Sequence, residues 1–319
     1  MTSLKILVKA ALAAAVLAGP ATIAVAAPKP AVVSVPAASV DAAARKVAAW
    51  QLSHMDNFDY VPVSAFRKDT EAPRDWVQAA FYVGLYTFAD ATQDPYLTAA
   101  VLEHGEAEGW GFDHRPRHAD ADATGAVWVW AAQRTGDPSK LGPVRARFDA
   151  VLADPSTVSL DFEPKPAKGD PYCQARWCWS DAIFMAPPVW TALTKATGDK
   201  RYLAHSDREF WATTDYLFDQ ADHLYFRDSR FITRRDAAGR KIFWGRGNGW
   251  AFAGIARILQ DLPAGHPSRR RYETVFKQMA AKIATLQGEE GYCRSRCWSR
   301  RRRRRPAARA SSSTAWPGA

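Results

Sequence analysis

From about residue 41 onward, apolar residues recur at helical rather than strand spacing. Residues 41–55 place Ala44, Val47, Ala48 and Leu52 near one face, and residues 75–91 form a longer, more apolar run with Asp75 at its start. Residues 95–108 follow after a short break, and residues 122–134 carry Val127, Trp130 and Ala131 at helical spacing. Further helices are predicted over 141–152, 180–196, 200–217, 248–262 and 267–286. The pattern yields about nine helices and few convincing strands, which predicts an all-α domain.

The junctions between these helices resemble one another. Ala91-Thr-Gln-Asp-Pro-Tyr-Leu97, Arg134-Thr-Gly-Asp-Pro-Ser-Lys-Leu141 and Ala196-Thr-Gly-Asp-Lys-Arg-Tyr-Leu203 each join one predicted helix to the next. In each, Gly or Gln can end a helix while Asp caps its successor. Two readings are open: a hairpin repeated with variable insertions, or three instances of a common helix–helix turn. Hairpins repeated in this way can close into a double ring of helices whose Trp-rich loops converge on one mouth.

The two ends of the chain differ from its body. Lys5 and Lys9 supply a basic start, Ile6 to Ala18 is largely apolar, Gly19-Pro20 breaks the run, and Ala24-Val25-Ala26-Ala27 offers small residues for cleavage. Residues 1–27 therefore read as a secretory signal peptide, and 28–40, rich in Pro, Ala and Val, as a flexible leader. No later stretch reaches the ~18 apolar residues of a membrane span, so an exported protein, periplasmic or secreted and without a membrane anchor after cleavage, is expected. The formal net charge of +10 would suggest a nucleic-acid partner. However, nine of the excess positives are arginines after Tyr292 and two are the lysines of the leader, which leaves −1 for residues 28–292. No nucleic-acid partner is expected of that body. Cys173 and Cys178 are buried thiols or one local bridge; a zinc site is disfavoured because no second ligand pair stands nearby.

Three segments combine aromatic residues with functional groups. In the first, Trp177 and Trp179 precede Asp181 at a predicted helix start, and Pro187-Pro188 interrupts the pattern soon after. Asp181 is either an N-cap or a carboxyl whose pKa an aromatic pocket raises, so that it gives up a proton near neutral pH. In the second, Phe243-Trp244-Gly245-Arg246-Gly247-Asn248-Gly249-Trp250, glycines alternate with Arg, Asn and Trp before a helix. That composition suits an anion or a sugar, and a Gly-rich helix start with packed tryptophans is the alternative. A phosphate loop is excluded by the missing lysine pattern. The third holds His118, Asp120 and Asp122 behind Arg115 and Arg117, as caps with surface ion pairs or as part of a site.

These segments resemble the unsaturated glucuronyl and rhamnogalacturonyl hydrolases of glycoside hydrolase families 88 and 105. The resemblance is carried by RWCWSDAIFMAPPVWTALTKATGDKRYL (176–203), LYFRDSRFITRRDAAGRKIFWGRGNGWAFAGIARIL (224–259) and the MAAKIATLQ helix leading to EEGY (279–292), with DWVQAAFYVGLYTFADAT (75–92) and HADADATG (118–125) as earlier blocks. It implies an (α/α)6 barrel that removes the unsaturated uronic acid from oligosaccharides left by an upstream polysaccharide lyase, of pectin or rhamnogalacturonan type. An Asp protonates C4 of the C4=C5 enol ether, water adds at C5, and the hemiketal collapses; no cofactor and no metal is implied. Asp181 matches the proton donor. Trp177, Trp179, Trp244, Arg246, Asn248 and Trp250 match the substrate wall, with His118 beside it, and Arg246 is the natural carboxylate partner. Relatives often read Asp-Asp-His ahead of the glycine where this chain has Asp120-Ala121-Asp122, so both aspartates are candidates for the second carboxylate. Arg227 stands where many relatives carry His. A sugar-binding relative without turnover is the second function class.

After Tyr292 the resemblance stops. Cys293-Arg-Ser-Arg-Cys297, six arginines from Arg300 to Arg305 and a Pro/Ala/Ser-rich end replace the expected continuation of about three helices. Residues 293–319 read as a frameshift product, and the hydrolase domain, 41–292, as a barrel lacking its last helices, which predicts poor folding and weak activity. A genuine basic tail that binds an acidic polymer is the alternative.

Overall fold

The computed structural model describes residues 36–60, 72–163 and 172–288. The expected signal peptide, most of the expected leader and the arginine-rich tail lie outside the described residues. The chain divides into two compact units, Met1–Lys46 and Val47–Ala319. The first is described over its last residues, the opening turns of helix α1 (Ala37–Leu52), where Arg45 Nε donates to Asp41 Oδ2 at 2.9 Å. The second holds all the other elements.

These are α2 (Trp76–Thr92), α3 (Pro95–Ala107), α4 (Ala119–Asp122), α5 (Gly125–Thr135), α6 (Gly142–Ala153), α7 (Ala182–Met185), α8 (Pro187–Thr197), α9 (Lys200–Leu217), α10 (Gly245–Asp261) and α11 (Arg269–Leu286). One small hairpin, β1 (Phe218–Asp219) and β2 (Leu224–Tyr225), pairs antiparallel with Phe218 opposite Tyr225. Helices α2 and α3, α5 and α6, α8 and α9, and α10 and α11 form successive hairpins. Within each, the first helix packs on the first helix of the next: α2 on α5, α5 on α8, α8 on α10. This alternation of an inner and an outer helix is the α/α-barrel arrangement. The inner helices are apolar on most of their surface, with Trp128 and Val127 of α5 and Trp190 and Leu193 of α8 fully buried. The outer helices are amphipathic, because one face meets water.

The recurrent junctions have one construction. Thr92, Thr135 and Thr197 each donate a hydroxyl hydrogen bond to the carbonyl four residues back, at 2.8, 2.7 and 2.8 Å. Gln93, Gly136 and Gly198 then take left-handed φ values of +53, +68 and +75°, which end the helix. Asp94, Asp137 and Asp199 accept from backbone N–H groups at the start of the next helical segment. Each cap contributes about 1 kcal/mol. The hairpin reading is therefore the physical one.

Two expected helices are interrupted. The run predicted over 180–196 splits into α7 and α8 because Pro187 and Pro188 lack the N–H groups a continuous helix needs. The run predicted from residue 122 starts with the single turn α4 and resumes at Gly125, where an added Cβ would lie 2.9 Å from Val189 and 3.1 Å from Phe112. In the opposite sense, α10 begins at Gly245, so the Gly/Arg/Asn segment is the first turn of the helix rather than a loop before it.

Candidate active site

The first turn of α10 meets the start of α7 at one place. An isolated bridge between Trp179 and Asp228, with Ser180 N–H donating to the Arg227 carbonyl at 2.9 Å, ties the strand before α7 to the segment after β2. Asp181 occupies the N-cap position of α7, yet its side chain makes no capping hydrogen bond. The capping alternative therefore fails, and the carboxyl is left for other partners. It accepts from the Ser180 hydroxyl at 3.3 Å and lies within the field of Arg246 and Arg227. Burial pushes Asp181 up to about 7, against the opposing pull of both guanidinium groups and of the hydroxyl. A carboxyl with that pKa can hold and release a proton at neutral pH.

Gly247 makes this meeting possible. A Cβ there would lie 2.5 Å from Ser180 Oγ, 2.6 Å from Trp244 and 3.1 Å from Asp181 Oδ1. Arg246 stacks over Trp244 at 4.3 Å, and Arg227 lies 5.4 Å from the same ring on another side. Together with Phe231, Arg234, Ile242 and Phe243 they line a cavity of about 510 Å³. Arg234 and Phe231 are not among the sequence candidates; the signal for them was the basic-aromatic composition of residues 227–246, which by itself does not sort one arginine from another.

The two candidate aspartates separate sharply. Asp122 is 2% exposed and accepts from Arg147 Nε at 2.9 Å and Trp190 Nε1 at 3.4 Å. Burial raises its pKa to about 6 while Arg147 pulls it down. Arg147 also donates to the carbonyls of Asp113 and Arg115, so the pair ties α6 to the segment before α4. Asp120, two residues before Asp122 on α4, adjoins His118, whose Nδ1 accepts from the Asp120 N–H at 3.2 Å. The His118 ring lies 5.1 Å from Trp179, and α4 packs on α7. His118 thus adjoins Trp179, two residues before Asp181, and Asp120 pairs with His118 in the field of Arg115, whereas Asp122 faces the core.

Three expected wall residues stand elsewhere. Trp177 is 3% exposed and packs against Trp190 and His205 in the core, within the loop that the Cys173–Cys178 disulfide closes. The bridge, not a pair of free thiols, is what the two cysteines form. Asn248 is 1% exposed: its Oδ1 accepts from Tyr225 N–H at 2.8 Å, and its Nδ2 donates to the carbonyls of Tyr225 and Trp244. Every polar atom of that amide is used to hold β2 on α10, so Asn248 does not line the cavity. Trp250 is half-buried between Phe184 and Trp76, at 4.7 and 6.4 Å. Among the described residues no group of three or more His, Cys, Asp or Glu side chains is arranged to hold a metal ion.

Fold and site define an α/α-barrel chain in which one proton-holding carboxyl stands beside guanidinium groups that, with aromatic rings, line a cavity. The chain belongs to glycosyl hydrolase family 88, whose family model matches residues 43–313, a span that takes in part of the arginine-rich tail. It is 40% identical over 269 residues to an unsaturated 3S-rhamnoglycuronyl hydrolase of Alteromonas sp. (strain LOR), covering 81% of this chain and 65% of that one. A protein of the same description from Formosa agariphila is 31% identical over 264 residues, covering 80% and 66%. The chain thus spans about two thirds of the length of these curated relatives. A solved family 88 glycosyl hydrolase from Bacteroides vulgatus shares the fold, with a TM-score of 0.60 at 23% identity over 78% of this chain and 70% of that one.

Proposed function

We propose that this chain is a glycosidase that releases the 4,5-unsaturated uronic acid from the non-reducing end of lyase-generated oligosaccharides. The observation that carries the reading is Asp181: a carboxyl raised to about 7, uncommitted to a cap, beside Arg246 and Arg227. The protonated carboxyl donates its proton to C4 of the enol ether, and positive charge develops at C5 and the ring oxygen. Arg246 holds the uronate carboxylate and Trp244 supplies an apolar face for the ring. Water adds at C5 and its proton passes to a second carboxylate. The C5–O5 bond of the hemiketal then breaks, and the remaining hemiacetal at C1 expels the rest of the chain. Asp120 is assigned as that second carboxylate, because Asp122 is tied to Arg147. His118 and Trp179 support Asp120 and the sugar ring.

The names of the two relatives carry a 3-sulfated rhamnose next to the uronate, so that sugar is proposed here in place of an unsulfated pectin-type neighbour. The leader-like residues 1–27 support export, and the substrate requires a polysaccharide lyase upstream. The test follows the ultraviolet absorbance of the conjugated double bond during incubation with unsaturated disaccharides. Loss of absorbance that Asp181→Asn abolishes supports the reading. Binding without loss makes the chain a sugar-binding relative and overturns it.

A further inference from the structure

A primary amide offers an acceptor oxygen and two donor hydrogens in one plane. The amide of Asn248 is buried and directs all three at backbone groups of two separate segments. On β2, its Oδ1 accepts from Tyr225 N–H at 2.8 Å and its Nδ2 donates to the Tyr225 carbonyl at 3.0 Å. Strand β1 bonds on either side of that residue, through His223 N–H to the Asp219 carbonyl and Phe226 N–H to the Leu217 carbonyl. Asn248 therefore stands where a third strand would pair with Tyr225. On its own helix, the other Nδ2 hydrogen reaches the Trp244 carbonyl at 3.1 Å, which also accepts from Asn248 N–H at 3.0 Å.

Each anchor lies a short step from a group of the site. Two residues beyond Tyr225 is Arg227, whose carbonyl accepts from Ser180 N–H at 2.9 Å, and Asp228 bridges to Trp179. This arm carries Arg227 and holds the backbone from which Asp181 projects. Two residues before Asn248 is Arg246, and four before it is Trp244, whose ring lies 4.3 Å from Arg246 and 5.4 Å from Arg227. The second arm thus carries Arg246 and the ring that both guanidinium groups approach. Phe226 also meets Phe243 across the arms at 4.9 Å, but an apolar contact is non-directional and sets no register. Tyr225 is fully buried, so without the amide its N–H and carbonyl lose their partners and the arm shifts to recover them.

We propose that Asn248 is a positioning residue: its amide sets the spacing of Arg227 and Arg246 about Trp244, and through them the geometry at the Asp181 carboxyl. This rests on the hydrolase reading above. Asn248 acts on the reaction without touching the sugar, and a displacement of about 1 Å in such a constellation lowers the rate about 100-fold.

The experiment compares the wild type, Asn248→Ala, Asn248→Ser and Asp199→Ala by loss of double-bond absorbance, each below its melting temperature. Asn248→Ala removes every bond of the amide. Asn248→Ser loses the pair with Tyr225 but keeps a bond to Trp244, since a helical hydroxyl donates to the carbonyl four residues back, as Thr191 does to Pro187 at 2.9 Å. Asp199→Ala removes a cap of α9 and serves as the control for stability alone. Both Asn248 variants lower kcat/KM about 10- to 100-fold, through a lower kcat and a raised KM. Both also move the alkaline fall of kcat/KM to higher pH, because guanidinium groups that recede oppose the effect of burial on Asp181 less. Asn248→Ser melts above Asn248→Ala, and decides the question alone if Asn248→Ala does not fold. Asp199→Ala melts below the wild type with kcat, KM and the pH midpoint unchanged. An Asn248 variant that melts lower yet keeps wild-type kcat, KM and pH midpoint overturns the positioning role while the hydrolase reading stands. A loss confined to KM with the pH midpoint unmoved marks direct contact with the sugar and overturns it as well. A wild type that turns over no unsaturated disaccharide overturns both readings.

Discussion

Two glycines of the same helix turn carry opposite predictions. Gly247 and Gly249 both lie in the first turns of α10, and alanine at either should gain up to about 1 kcal/mol of helix propensity. Around Gly249 an added Cβ meets nothing within 4 Å, so Gly249→Ala should realise that gain and raise the melting temperature. At Gly247 the same methyl would sit 2.5 Å from Ser180 Oγ and 3.1 Å from Asp181 Oδ1, and neither atom can recede freely. Ser180 is fully buried and its backbone is bonded to Arg227, and Asp181 opens α7. Overpacking of this kind costs about 1–3 kcal/mol, enough to cancel the propensity gain or reverse it. The larger effect is on rate. A shift of about 1 Å in a proton donor lowers kcat about 100-fold, or roughly 2.7 kcal/mol of barrier. The assay is the loss of double-bond absorbance for both variants, with thermal unfolding alongside. A Gly247→Ala protein with wild-type kcat and a raised melting temperature would refute the packing argument for the site.

Three further outcomes follow from the same geometry. The proposed mechanism uses the protonated form of Asp181, so kcat/KM should fall as pH rises through about 7. The native state there holds a proton that the unfolded chain has lost, so stability also falls as pH rises between about 4 and 7. Asp181→Asn should remove that dependence and raise the melting temperature at alkaline pH, which unfolding curves across pH would check. Asp122→Asn leaves Arg147 buried without its anion and should cost about 3 kcal/mol. Asp120→Asn should instead lower kcat, and swapped phenotypes in denaturant melts and kinetics would reverse the two assignments. Replacing Cys173 and Cys178 together by serine opens a short loop and should cost about 2 kcal/mol. Urea unfolding measures that loss; an unchanged midpoint would show that the bridge adds nothing.

Much of the helical scaffold was legible because its signals are local. Thr back-bonding, a left-handed residue and an Asp cap act within a few residues, so the junctions at Asp94, Asp137 and Asp199 could be read as punctuation. The starts of α8 and α10 were less legible. Pro187-Pro188 divides one apolar pattern into two helices, whereas the glycines of α10 conceal a first turn that tertiary contacts impose. For the site, the residue types around Asp181 and Arg246 pointed to a carboxyl among guanidinium groups and aromatic rings, and the structure places them together. Burial then moved Trp177 and Asn248 from the wall to the interior, since an aromatic ring and an amide serve packing and backbone pairing as readily as a ligand.

By itself, the sequence determined an all-α chain of capped hairpins, the family to which it belongs, and an aspartate among tryptophans and arginines as the candidate for its chemistry. What tertiary structure alone decided is which charges are spent. Asp122 and Asp120 stand two residues apart and look equivalent along the chain; one is tied to Arg147 and Trp190, the other adjoins His118 in the field of Arg115. Seven cations crowd one segment; Arg230, Arg240 and Lys241 meet carboxylates, Arg235 bonds two backbone carbonyls, and Arg227, Arg234 and Arg246 line a single cavity. Pairs such as Arg147–Asp122 and Lys241–Asp219 have no local signature, because partners more than twenty residues apart are brought within reach only when the chain packs, whereas Arg230–Asp228 and Arg240–Asp236 are local.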